Sequence, residues 1–223
     1  MTKPALPTGL YGIIDADCER DMQELLDAYI FGGTRVLQLR MKRRAVAEIL
    51  PFGLHMREVC RQANCTFIVN DRADVAALLD ADGVHLGQDD IPIEAARALL
   101  PNGLIGKSTH DDNQLWLAVN EGADYVAYGP VFPTKTKSNA APVVGLKSLL
   151  QVAKTTSIPV VAVGGVKVDN IKQIVGTGVH AAAVISAVDN AWQPKDAVRS
   201  LVRAFLPPAK PVQSPISNLK QRN

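Results

Sequence analysis

Cysteine is scarce and has no metal-binding pattern. Cys18, Cys60 and Cys65 are odd in number and show no paired C-x-x-C spacing, which argues against a disulfide framework or a thiolate zinc site. Cys60 and Cys65 read as a helix-end and a strand-start residue in a reducing compartment, so a cytoplasmic location is expected. No apolar run approaches the ~20 residues of a membrane helix, and the opening MTKPALPTG has no apolar signal core. A membrane partner is therefore not expected. Charge of one sign is also missing, with a net of only +2. The stretch PPAKPVQSPISNLKQRN adds Lys210, Lys220 and Arg222 without an acid, so the residues before it are slightly negative. A nucleic-acid binder would show a basic face, and none is present. Finally, no G-x-G-x-x-G turn follows the first strand candidate, where IIDADCERD stands instead. That argues against a dinucleotide-binding Rossmann sheet.

What the chain does contain is one unit repeated. Strand-like runs begin at Leu10 (LYGIID), Val36 (VLQLR), Thr66 (TFIVN), Gly83 (GVHLG), Leu104 (LIGKST), Asp124 (DYVAYGP), Pro159 (PVVAVGG) and Ala181 (AAAVISA). Between them lie segments such as RDMQELLDAYIFGG, RAVAEILPFGLHMREVCRQA and DNIKQIVGTG, with apolar residues at helical spacing. The strand runs are nearly continuous in apolar residues, as a parallel sheet covered on both faces requires. Eight strand–helix units within 223 residues predict a single α/β domain, a (β/α)8 TIM barrel at the short end of the usual ~200 to 400 residues. The barrel is expected to occupy residues 1–206. Residues 207–223 read as a Pro-rich tail with too little apolar content to pack, and disorder is expected there.

Barrels of this class place their chemistry at the C-terminal ends of the strands. Strand two ends in Gln38 and Arg40 with Lys42 just beyond, Asn70 and Asp71 end strand three, and Asp89 and Asp90 follow strand four. Strand alternation turns Gln38 and Arg40 to one face and Met41 to the other. An arginine on a buried face needs an anion, and a phosphate suits its forked donors. Arg43 and Arg44 read as solvated. The loop GPVFPTKTKSN carries threonines and lysines that would clamp a phosphate, or else forms a stiff polar connection. The glycine pair ending VAVGG, beside the end of strand eight, fits the backbone phosphate site common after strands seven and eight. Two phosphate sites follow, one cationic and one rich in backbone donors. Carboxylates next to a polyphosphate imply a cation, and Mg²⁺ is typically held by one or two of them plus phosphates and water. Asp71 and one of Asp89 or Asp90 would share it. Asp90 could equally be a helix N-cap ahead of IPIEAARALL.

Taken in order, QLRMK, VNDR, DGVHLGQDD, GKSTH, DYVAYGPVFPTKTK, VAVGG and VISA resemble the thiamine phosphate synthase family over residues 8 to 206. The resemblance implies a Mg²⁺-assisted transferase that joins a pyrimidine diphosphate to a thiazole phosphate and releases pyrophosphate. It implies that the run Gln38, Leu39, Arg40, Met41 and Lys42 holds the pyrimidine diphosphate, together with Asn70 and Lys137. Asp71 and Asp90 would bind Mg²⁺, leaving Asp89 as a solvated turn residue. Ser108 would lie beside the reacting centre, with Arg40, Lys42 and Lys137 stabilising the leaving group. Thr134, Lys135, Thr136, Gly164, Gly165, Ile185 and Ser186 would hold the thiazole phosphate. The family commonly has glutamate where Met41 stands, with little effect expected because the side chain turns away. His85 and His110 each read as a packed or hydrogen-bonding histidine rather than a general base. The partners expected are small molecules, and a homo-oligomer is compatible with the sequence. A thiazole tautomerase or a non-catalytic phosphometabolite-binding barrel is the alternative, but neither needs a complete leaving-group site.

Overall fold

Strands and helices alternate along the chain because its apolar pattern does. In the computed structural model, which describes residues 4–134 and 141–205, eight parallel strands close into a barrel in sequence order. They are β1 (Gly9–Asp15), β2 (Val36–Arg40), β3 (Thr66–Asn70), β4 (Gly83–Leu86), β5 (Leu104–Thr109), β6 (Tyr125–Tyr128), β7 (Val160–Ala162) and β8 (Ala181–Val184). Around them lie α1 (Met22–Gly32), α2 (Val46–Gln62), α3 (Ala73–Leu78), α4 (Ile93–Leu99), α5 (Asp112–Asn120), α6 (Gly145–Thr155) and α7 (Ile171–Val175). The short α8 (Ser186–Asp189) and the longer α9 (Pro194–Phe205) follow β8. The expected TIM barrel is therefore present. The tail expected to be disordered lies outside the described residues.

Three strands match the sequence reading residue for residue, namely β2, β3 and β5. The last three are shorter than expected, for local reasons. β6 stops where a cis Gly129–Pro130 bond follows, and β7 stops before Gly164 and Gly165, whose φ of 98° and 65° cannot continue a strand. β8 stops because Ser186 begins α8.

Alternation sorts the strand side chains into two layers. Val36, Ile68, Leu104, Tyr11, Ile13, Tyr125 and Val161 fill the barrel interior. Leu37, Leu39, Met41, Val69, Leu86, Ile105 and Val126 pack outward against the helices. α9 seals the outside with Val198, Leu201 and Phe205 at helical spacing, Val198 lying against Gly32 of α1. Two strand-to-helix loops end in an aspartate cap. The Asp21 carboxylate accepts from the Glu24 N–H at 3.0 Å, and that of Asp111 from the Gln114 N–H at 2.8 Å. Such caps stabilise a helix start by about 1 kcal/mol.

Candidate active site

The mouth of the barrel gathers the C-terminal strand ends. Arg40 ends β2 on the interior face and is mostly buried, with a side chain only 14% exposed. The anion that it requires is supplied by the chain itself, since Arg40 Nη1 pairs with Asp15 Oδ2 at the end of β1. Sequence reasoning missed Asp15. No direct signal in the sequence marks it, because the pairing of Asp15 with Arg40 is set by the register of β1 against β2. A guanidinium has five N–H donors, so Arg40 keeps donors for a second anion. Gln38 lies deeper at 2% exposure, its Nε2 donating to the Tyr11 hydroxyl at 2.8 Å. Leu39 and Met41 turn into the helix-side core, so substrate contact at those two positions would come from main chain. Arg43 is 84% exposed and pairs with Asp17 at 3.4 Å, and Arg44 pairs with Glu48 at 3.8 Å, as solvated residues do.

Next to Arg40, Lys42 Nζ lies 3.1 Å from Asp71 Oδ2. Asp71 adopts φ 63°, a left-handed backbone uncommon outside glycine, asparagine and aspartate. Its N–H donates to the His85 carbonyl at 2.7 Å, which fastens β3 to β4 at the mouth. That turn aims the Asp71 carboxylate at Asp90. Burial, followed by the adjoining Asp90 carboxylate, raises the Asp71 pKa, with Lys42 opposing. Two carboxylates this close repel when both are ionised.

Asp90 does not cap α4. Pro92 occupies the N-cap position, and no side chain caps that helix. The Asp90 Oδ2 instead accepts from the Gly87 N–H at 2.6 Å, folding the loop back so that the carboxylate faces Asp71. Asp89 is exposed. The donor set at Asp71 and Asp90 therefore fits a divalent cation that prefers oxygen, takes two carboxylates and completes its shell with water and phosphate. The described residues contain no cluster of three or more His, Cys, Asp or Glu able to hold a metal by themselves, so a bound ion would depend on those outside ligands.

Ser108 sits on the interior face of β5, its Oγ 2.9 Å from His85 Nε2, and Gln88 holds the Ser108 carbonyl. His85 is 8% exposed and hydrogen-bonded rather than free. His110 donates from Nδ1 to the Gly129 carbonyl at 2.6 Å. Asn70 is buried at the end of β3. A cavity of about 420 Å³ opens outside the barrel between α5 and α6, lined by His110, Asp112, Tyr128 and Ser148 among others. None of the expected site residues lines it.

Across the mouth, Gly164 and Gly165 are two positions that require glycine. Both have positive φ. A Cβ would stand 2.5 Å from Pro130 Cβ at the first and 2.6 Å from the Pro133 carbonyl oxygen at the second. The turn is tied down by Phe132 N–H donating to the Gly164 carbonyl at 3.1 Å and by Asn170 Nδ2 donating to the Gly165 carbonyl at 2.9 Å. Ile185 and Ser186 lie alongside, at the start of α8. Thr134 closes the described part of the β6 loop. Lys135, Thr136 and Lys137 lie outside the described residues.

The family model described as thiamine monophosphate synthase matches residues 10–188. A thiamine-phosphate synthase of Chloroflexus aurantiacus is 41% identical over 194 residues, 86% of this chain and 90% of the relative. One from Myxococcus xanthus is 42% identical over 207 residues, 92% of this chain and 95% of the relative. Among solved structures, the thiamine phosphate pyrophosphorylase of Pyrococcus furiosus superposes with a TM-score of 0.82 at 37% identity, covering 89% of this chain and 95% of the other. A 3-hexulose-6-phosphate synthase, at 19% identity and TM-score 0.63, shares the fold alone. With a family model spanning its barrel and relatives alike over nearly their full length, the chain belongs to the thiamine monophosphate synthase family.

Proposed function

We propose that this member of the thiamine-phosphate synthase family joins a pyrimidine diphosphate to a thiazole phosphate at the barrel mouth, with pyrophosphate leaving. The observation that carries the reading is the facing pair of carboxylates, Asp71 and Asp90, set beside Lys42 and Arg40. Such a constellation suits a departing polyanion when a cation lies between it and the carboxylates, which would otherwise repel it.

Asp71 and Asp90 would hold Mg²⁺, which when bound neutralises charge on the leaving diphosphate. Arg40, Lys42 and Lys137 hold the diphosphate and balance the charge that grows as it departs, which is electrostatic catalysis. Gln38 and Asn70 orient the pyrimidine diphosphate, and Ser108 lies beside the bond that breaks. No nucleophile–base pair is required, since an electron-rich aminopyrimidine supports the methylene cation left behind. The thiazole nitrogen then attacks that carbon. Thr134, Thr136, the Gly164–Gly165 turn and Ile185–Ser186 hold the thiazole phosphate, which stays attached to the product. A tautomerase acting on the thiazole alone would leave the Lys42–Asp71–Asp90 cluster without a task.

The test supplies both precursors with Mg²⁺ and measures thiamine phosphate and pyrophosphate. Both products are expected in equal amounts, with turnover abolished by a chelator and restored by added Mg²⁺. Folded protein that makes neither product contradicts the reading.

A further inference from the structure

Two interior tyrosines, Tyr11 on β1 and Tyr125 on β6, take no part in the chemistry above. They are 2% and 0% exposed, and their hydroxyl oxygens lie 3.0 Å apart. Gln38 Nε2 donates to the Tyr11 oxygen at 2.8 Å. On the other side, the Tyr125 oxygen is 3.2 Å from His85 Nδ1, and His85 Nε2 is 2.9 Å from Ser108 Oγ. The His85 ring stacks on that of Tyr125 with centroids 5.5 Å apart. A polar chain thus runs from Gln38, expected on the pyrimidine, to Ser108, expected at the reacting carbon.

Proton counting gives that chain a direction. Burial raises both phenol pKa values, so each tyrosine keeps its single hydroxyl proton. The Gln38 amide donates to Tyr11, so that contact cannot take the Tyr11 proton. Among the described residues the remaining partner is the Tyr125 oxygen. Tyr125 then accepts from Tyr11, and its own proton goes to His85 Nδ1. The imidazole proton accordingly sits on Nε2 and is donated to Ser108 Oγ. That leaves the Ser108 hydroxyl proton to point at the mouth.

We infer that Tyr11 and Tyr125 are positioning residues which, through this one-way chain, fix His85 as the Nε2–H tautomer and make Ser108 a hydrogen-bond donor toward the departing diphosphate. The functional half of the inference rests on the substrate placement given under Proposed function. The hydrogen-bond order does not.

The experiment has a part that is independent of activity. Nitrogen-15 NMR of histidine-labelled protein without substrate, with the signal assigned by His85→Gln, should show His85 protonated at Nε2 and bare at Nδ1. Tyr125→Phe keeps the ring that fills the space beside Gly106 but removes the donor. It should give mixed His85 tautomers and lower kcat about tenfold, the usual scale for one buried hydrogen bond, with both KM values within about twofold. Tyr11→Phe removes the donor that commits the Tyr125 proton to His85, so it too should give mixed tautomers. The loosened Gln38 should then raise KM for the pyrimidine diphosphate. In a Ser108→Ala background, Tyr125→Phe should lower kcat no further, because its effect passes through Ser108. An Nδ1–H tautomer in the unsubstituted protein, or an undiminished Tyr125→Phe loss in the Ser108→Ala background, overturns the inference. Nε2–H at His85 in a protein without synthase turnover would support the hydrogen-bond order and overturn the synthase reading instead.

Discussion

In the proposed reaction the two sides of the barrel mouth would receive phosphate groups by different means. Over β1 to β4 the candidate hosts are charged side chains, with Arg40 against Asp15 and Lys42 against Asp71 and Asp90. Over β6 to β8 the described hosts are mainly backbone, in the Gly164–Gly165 turn and the start of α8. The difference follows the fate of each phosphate in the proposed reaction. A diphosphate that leaves changes its charge distribution sharply, and strong, paired charges with a cation stabilise that change. A phosphate that stays on the product needs only to be held, and fixed backbone dipoles suffice.

The largest effect should fall on the leaving side. Asp90→Ala is expected to lower kcat by on the order of 10² to 10³, the scale for removing one electrostatic stabiliser of a transition state. Asp89→Ala, at an exposed turn position, should stay within about twofold. A Mg²⁺ titration of both variants checks this, and equal mild losses would remove Asp90 from the metal site. On the retaining side, Gly165→Ala puts a Cβ 2.6 Å from the Pro133 carbonyl oxygen and 2.7 Å from Phe132 Cβ, at φ 65°. The strain, of order 1–3 kcal/mol, should raise KM for the thiazole phosphate about tenfold. KM for the pyrimidine diphosphate should hardly move. Steady-state kinetics with each substrate varied in turn would blur the comparison if both values rose together.

Salt gives a smaller contrast. Exposed charges are screened within about 10 Å at 0.1 M, and Lys42 is 48% exposed. Raising ionic strength should therefore weaken pyrimidine diphosphate binding severalfold and thiazole phosphate binding less. The smallest effect concerns Asp189, where the two sides meet. Its Oδ1 is buried without a hydrogen-bond partner among the described residues. Burial first and Asp15 second push its carboxyl up to about 7, while Arg20 pulls the other way. An acid raised on folding contributes stability that is fully present below its unfolded value near 4 and lost as pH rises through about 7. Unfolding free energy should fall between about pH 4 and pH 7 by on the order of 1–2 kcal/mol after solvent screening. Asp189→Asn should flatten that profile in thermal melts, and an unchanged slope would assign the pH dependence elsewhere.

The same comparison explains what was legible in the sequence. VLQLR, TFIVN and LIGKST form strands over the residues read from their apolar runs, because each run is bounded by polar or turn residues. The glycine pair was legible because a turn after strand seven leaves few other uses for it. What stayed hidden were contacts between strands. Asp15 with Arg40, Tyr11 with Tyr125 and His85 with Ser108 are separated by 25, 114 and 23 residues. Alternation places each on the interior face, but strand register brings Asp15 to Arg40 and His85 to Ser108, and barrel closure brings Tyr11 to Tyr125. The competing readings of Asp90 could not be separated either, since a helix cap and a metal ligand both fit an aspartate placed just ahead of proline. The Gly87 N–H removes the cap, because it holds the Asp90 carboxylate away from the start of α4.

The claim that the leaving side works through a cation shared by Asp71 and Asp90 can be measured directly. Titration calorimetry of pyrophosphate would be run with and without Mg²⁺ on the unsubstituted protein and on Asp71→Asn and Asp90→Asn. The account predicts tight binding only with Mg²⁺ present and both carboxylates intact. Pyrophosphate that binds equally well without Mg²⁺, or equally well to both variants, would contradict it.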